Sequence, residues 1–263
     1  MLNIIKADLQ RIFRGKGVWI TLGIFMAYLV LASMQFNAVA SRGEVTWGME
    51  ALGITQLTGS IIPLVFMFDN LTRLYFMTSL LTIIITSDFT SGSIKNVLSS
   101  GVSRMKYLGA KFILVLLFSF VMILLNITIP TVLITFSQGF GRAFDWGYVL
   151  EILLPFLLHI FGLISVMSVG ICFGFIFKKS SITLGAFLAF VSIPPLLIFF
   201  LSFLTGINTD EIARFEIISL LERVPNFVTL STSDVRQIVL VSSFWLIVSV
   251  VGGVLLFKKT EVK

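Results

Sequence analysis

One histidine, His159, and one cysteine, Cys172, are all this chain offers for imidazole or thiol chemistry. A single histidine cannot build a metal site from imidazoles, and no H-E-x-x-H pair occurs. A lone cysteine excludes an internal disulfide, so Cys172 reads as a small residue facing lipid or a neighbouring helix. No G-x-x-x-x-G-K-[ST] run is present, so the chain cannot cradle nucleotide phosphates in that way. Neither a catalytic residue nor a metal ligand set is expected. What remains are polar side chains set in apolar sequence: Asp69, Arg73, Asn126 and His159, candidate intramembrane contacts. Asp69 and Arg73 stand i, i+4 and can pair, lowering the cost of both charges. His159 is expected to hydrogen-bond a neighbouring helix in its neutral form, with a proton or substrate role as the alternative. Glu151 reads as a solvated boundary charge.

A second group with chemical meaning is the polar stretch of residues 87–112, "SDFTSGSIKNVLSSGVSRMKYLGAKF", set between two strongly apolar runs. Ser93 is placed to cap a short helix, and Ile94, Val97, Leu98 and Val102 fall on one face of it. Gly92 and Gly101 bracket that helix as hinges, and Ser103 can cap the next one. The stripe is too small to anchor a membrane. Rimmed by Ser, Asn and Lys, it suits a groove on another protein.

The elements that must hold these residues are membrane helices. Apolar residues make up 57% of the chain and charged residues only 12%, too few to cover a soluble fold of 263 residues. Mean hydropathy is +1.05. About 20 apolar residues cross a bilayer core as a helix, and residues 18–36, 108–136, 149–177, 181–204 and 238–257 qualify. A sixth span is predicted at 70–87, preceded by an apolar piece, 54–68, that packs in the outer leaflet or extends that span.

Charge fixes the expected count. Six spans with both termini inside place 13 of the 19 Lys and Arg residues inside, including every lysine, against Asp8, Asp88 and Glu261. Lys/Arg bias orients spans, and a seventh span at 54–68 would put Lys95–Lys111 outside. The +6 net charge is thus accounted for by the bilayer, and no nucleic-acid partner is expected. The predicted fold is therefore an all-α integral membrane protein of one domain, residues 1–263. It has six transmembrane helices, cytoplasmic termini, an interfacial helix at 1–17, a cytoplasmic loop at 88–106 and an extracellular helical loop at 206–237.

Residues 1–17 precede a 19-residue apolar run, too long for a signal peptide, and the first span reads as an uncleaved anchor. Leu2, Ile5, Leu9, Ile12 and Phe13 share a face, with Lys6, Arg11 and Arg14 away from it, the pattern of a basic helix lying on the cytoplasmic lipid surface. In the extracellular loop, Asn208 and Glu211 form a capping box. It opens an amphipathic helix that turns Ile212, Phe215, Ile217, Ile218 and Leu221 one way and is closed by Pro225, and with the "NFVTLS" that follows the loop reads as one or two short helices dipping into the outer leaflet. Pro130 and Pro194-Pro195 interrupt spans, and Gly170-x-x-x-Gly174 lets two helices approach, within the subunit or across a dimer.

Asp88, Gly92, Ser93, Ile94, Lys95, Asn96, Leu98, Gly101, Ser103, Arg104 and Lys111 together resemble the loop between spans two and three of type-2 ATP-binding-cassette exporter permeases. "IKNVLSSGVSR" is similar to the bacterial branch with lantibiotic-immunity, bacitracin-resistance and phenol-soluble-modulin permeases. Asp88 stands where many members have Glu, and Gly101 where many have Pro. The resemblance implies a multi-pass permease of the bacterial plasma membrane that exports amphipathic or antimicrobial peptides, toxin-like peptides or hydrophobic drugs. It implies a partner ATPase carrying ATP and Mg, and a second permease copy or homologous sister permease. Asp88, Gly92, Ser93, Ile94, Val97, Leu98 and Arg104 would couple to that ATPase, with the N-terminal helix beside them. The alternative is a membrane scaffold or sensor that binds a cytoplasmic partner through 88–106 without transport.

Overall fold

The computed structural model describes residues 1–42, 57–68, 70–224 and 231–259. Among them the chain is all helical, with no strand. In order come α1 (Leu2–Arg14), α2 (Lys16–Ser41), α3 (Ile62–Phe68), α4 (Asn70–Thr90), α5 (Ser93–Ser99), α6 (Arg104–Gln138), α7 (Trp146–Phe177), α8 (Ser180–Thr205), α9 (Thr209–Ala213), α10 (Ile217–Arg223) and α11 (Thr232–Lys259).

The long helices overrun the apolar runs that announce them, because a helix ends where its terminal backbone groups find a cap rather than where hydrocarbon ends. Ser103 Oγ accepts from the Lys106 amide (3.3 Å) to open α6. Asp145 does the same for Tyr148 (2.8 Å) at α7, three residues ahead of the predicted span. Gly206, at φ +70°, closes α8 in a backbone conformation that glycine adopts without penalty.

Five helices, α2, α6, α7, α8 and α11, are long and apolar enough to cross a bilayer; α4 reaches that length and hydropathy only together with α5, which bends 72° away from it. Composition causes the shortfall, since α4 carries a run of hydroxyls and Arg73. These hydroxyls turn back on their own helix: Thr78 donates to Leu74 O, Thr86 to Thr82 O and Ser87 to Ile83 O, at 2.5–2.6 Å. Their polarity is satisfied internally, as an apolar surround requires.

α7 is the central post, with 61% of its apolar stretch buried against 17% for the peripheral α8. Gly170 and Gly174 face α4 inside the subunit: a Cβ at Gly174 would meet Ile85 Cγ2 at 2.8 Å, and one at Gly170 would meet Leu81 Cδ1 at 2.5 Å. The close approach offered by this glycine pair is therefore used within the chain. Pro155 in α7, Pro130 in α6 and Pro194-Pro195 in α8 all lie inside continuous helices.

The apolar piece before α4 is a short helix tucked against α6, with Ile62, Val65, Phe66 and Met67 buried; residues 54–56 of that expectation, and Asp69, lie outside the described residues. Its last carbonyls would be orphaned in an apolar surround. Asn126 Nδ2 takes Phe66 O (3.0 Å) and Arg73 Nη2 takes Met67 O (3.2 Å). Among the described residues of the 206–237 loop, the amphipathic stretch forms two short helices, α9 and α10. Glu216 accepts from the Ile218 and Ser219 amides (2.9 and 2.6 Å), starting α10 afresh and breaking the register. Ile217, Ile218 and Leu221 share a face, and that face is buried in the protein, but Phe215, ahead of that break, is 75% exposed.

Candidate functional site

The lysine-rich end of the bundle gathers the ends of α1, α4, α6, α7 and α11. Aromatic rings fasten it: Tyr107 lies 5.9 Å from Phe257 and 6.3 Å from Phe175, Phe175 lies 4.8 Å from Phe257, and Phe89 lies 5.8 Å from Phe175. Thr86 and Ser180 share a hydrogen bond of 2.6 Å, adding the start of α8.

Beside the rings sits a buried ionic hub. Asp88, near the end of α4, is 2% exposed. Its carboxylate accepts from Arg11 Nη1, from Tyr107 OH (2.6 Å) and from Ser93 Oγ (3.3 Å), and pairs with Lys111 Nζ (2.6 Å). Lys111 is completely buried in α6; it also pairs with Asp8 (2.8 Å) and sits 5.2 Å from the centre of the Tyr107 ring. Asp8 closes the circuit to Arg11 Nη2 at 3.0 Å. Two carboxylates thus meet two cations, with no net charge. Three of these charges are buried and Arg11 stands at the rim with its side chain 40% exposed; desolvating the buried ones is offset only where geometry is good and the remaining donors are filled. Here the chain supplies both conditions, and α1, α4, α5 and α6 are locked to one another through side chains.

The hub changes the reading of α1. Ile5, Leu9 and Ile12 cover the bundle rather than lipid, and Asp8 is buried between them. Arg11 points to Asp88 instead of a headgroup, because a buried carboxylate is a stronger partner than hydrated lipid. Leu2 and Phe13 remain exposed, Phe13 lying 5.9 Å from both Trp19 and Phe118, and Lys6 is exposed.

α5 changes as well. Its N-cap is Gly92, at φ +69°, not Ser93, whose hydroxyl is drawn to Asp88 instead. Ile94 is 2% exposed and packs into this chain's own core, with Val97, Leu98 and Val102 half-buried beside it. The stripe is therefore mostly spent on the chain itself. What stays open is a groove of about 540 Å³ lined by Lys95, Leu98, Ser99, Val102, Ser103 and Arg104. Gly101, at φ +84°, ends this segment as predicted. Arg104 donates to Phe257 O (3.0 Å) and lies 5.9 Å from the Phe257 ring, tying the groove to α11.

Asp88, Gly92, Ser93, Ile94, Val97, Leu98, Arg104 and the α1 face are thus brought together, whereas Arg73, Asn126 and His159 are elsewhere. His159 is fully buried in α7, and among the described residues neither ring nitrogen has a hydrogen-bond partner, contrary to the expected interhelical bond. Glu151 is not simply solvated, since Arg142 Nη1 pairs with it at 2.7 Å. Sequence reasoning missed Asp8 and Tyr107. The available signals were an acid interrupting a basic helix and a tyrosine four residues before a lysine that itself opens an apolar run.

A family model described as ABC-2 family transporter protein matches residues 4–194, which run from α1 through the hub to the middle of α8. No curated protein and no solved structure matches the chain.

Proposed function

This chain belongs to the ABC-2 family of transporter proteins, the membrane components of ATP-binding-cassette transporters, and from that premise we propose that it is an exporter permease driven by a separate ATPase docked at its lysine-rich end. That end faces the cytoplasm in this reading, α4 serves as the sixth span, and the termini are cytoplasmic. The groove at Lys95, Leu98, Ser99 and Arg104, with α1 alongside, receives the nucleotide-binding subunit. The cargo is an amphipathic, antimicrobial or toxin-like peptide or a hydrophobic drug, a reading supported by the resemblance of the 88–111 motif. A second permease, identical or homologous, completes the pore in a bacterial plasma membrane.

The observation that carries the proposal is the hub. A push on α5 arrives at Asp88 and Ser93, and Asp88 is bonded at once to α1 and α6. Force is then delivered to three elements as a unit instead of being lost in bending α5 about Gly92, and rigid-body shifts of packed helices are an ordinary means of switching. Arg11, Asp88 and Lys111 act here as positioning residues.

Affinity purification of the tagged chain in mild detergent, with mass spectrometry of what accompanies it, tests this. The expected result is a stoichiometric nucleotide-binding subunit, lost on Leu98→Asp or Lys95→Glu while the permease still inserts. A preparation free of ATPase, repeated with a non-hydrolysable nucleotide, would overturn the reading.

A further inference from the structure

At the end of the bundle opposite the hub, a cleft of about 720 Å³ opens between the link joining α9 to α10 and the first turns of α11. Gln237 Nε2 donates to Arg214 O (2.6 Å) and pins that link against α11. The two halves of the cleft differ in chemistry. Arg214, Arg236 and Asp234 line one part. Leu240, Val241, Phe244 and Trp245 line the other, lower on the same helix. From Arg236 to Trp245 is nine residues, or about 14 Å along the axis. Charge therefore sits at the bundle end and an aromatic floor descends toward its middle.

Asp234 offsets one of the two arginines, since its carboxylate stays charged near Arg214, and the mouth keeps a net positive charge. Its carboxylate accepts from Ser231 N (3.0 Å) and Ser231 Oγ (2.6 Å), which holds it at the start of α11. On the floor, Trp245 meets Phe190 of α8 edge-on at 5.0 Å and Phe244 edge-on at 5.7 Å. The cleft is open sideways as well as at its mouth, with Leu240 62% and Phe244 58% exposed. On a membrane helix such residues face acyl chains. Phe215, stranded outside the apolar face of its loop, forms part of the wall.

We propose that this cleft binds an anionic phospholipid of the surrounding leaflet, its phosphate between Arg214 and Arg236 and the upper part of one acyl chain along Leu240, Phe244 and Trp245. The volume falls in the range of small-ligand sites. The polarity of the cleft runs in the direction a lipid has in its leaflet, and the lateral opening admits the ligand without leaving the bilayer. The site requires only that the helices stand in a membrane, so it is independent of ATPase docking.

Trp245 is the built-in reporter. With Trp19, Trp47 and Trp146 changed to Phe, the protein is reconstituted in dioleoylphosphatidylcholine containing increasing brominated phosphatidylglycerol, or brominated phosphatidylcholine as the reference. Bromine quenching of Trp245 is expected at a much lower mole fraction for phosphatidylglycerol. That preference should weaken roughly fivefold for each arginine lost in Arg214→Gln and Arg236→Gln. Equal quenching by the two lipids overturns the proposal without recourse to any variant. So does a preference that survives the double substitution. Soluble glycerol 3-phosphate distinguishes a free-phosphate site: reversal of the quenching by it would remove the acyl chain from the account. Protection of Trp245 by an acidic amphipathic peptide, with no lipid preference, would assign the cleft to a peptide instead.

Discussion

Asp88 is the residue where four elements meet, and its removal has a calculable consequence. Asp88→Asn keeps the shape but leaves buried Lys111 with half of its counter-charge. Breaking a buried pair from one side costs about 3–5 kcal/mol; because Asp8 remains, the lower end is expected. Thermal unfolding in detergent measures this, and a cycle with Lys111→Met should show coupling well above the cost of either change at an unrelated site. A second titratable group lies outside the spans. Burial, aided by nearby Glu216, lifts the Glu222 carboxyl to about 7. Between its ordinary value and 7 the folded chain binds more protons than the unfolded one, so stability falls as pH rises through that window and levels off above it. Melting temperature followed from pH 5 to 8 should decline, and Glu222→Gln should flatten the profile. Little of this was visible in sequence. The 88–111 motif picks out Asp88 and Lys111, but Asp8 meets Lys111 across 103 residues and Arg11 meets Asp88 across 77. Local periodicity carries no trace of such pairings.

Elements were far more legible, because an apolar run of about 20 residues in a membrane protein crosses the bilayer as a helix. The errors fall where polar side chains set the ends. Glu216 restarts a helix that apolar spacing alone runs through, and Gly92 displaces Ser93 as cap because Asp88 competes for the serine hydroxyl. α1 was legible as an amphipathic helix, but not as one whose apolar face covers protein. At this scale the glycines of α7 make the test. A methyl at Gly174 meets the stiff β-branched Ile85, whereas one at Gly162 meets the flexible end of Leu221. Gly174→Ala should therefore destabilise by about 1–3 kcal/mol and Gly162→Ala by clearly less, as read from unfolding of the two variants side by side.

For the whole molecule the decisive asymmetry is charge. Lys6, Arg11, Arg14, Lys16, Lys95, Arg104, Lys106, Lys111, Lys178 and Lys179 all lie at the hub end. If that end is cytoplasmic, then in a Cys172→Ser background a cysteine at Ser99 should resist an impermeant maleimide in intact cells, and one at Thr209 should react. The opposite pattern would invert the topology and with it the place of the ATPase. Family membership rests on residues 4–194, and the cleft between the α9–α10 link and α11 is built from residues beyond that match. The most direct test of the central claim is a cross-link. Ser99→Cys, exposed on the rim of the groove, is made in the Cys172→Ser background and treated with a short cysteine-to-lysine reagent in membranes holding the partner ATPase. The account predicts a cross-linked permease–ATPase species whose yield changes with nucleotide. An ATPase that co-purifies yet never cross-links from Ser99, while a cysteine elsewhere on the same end does, would contradict it.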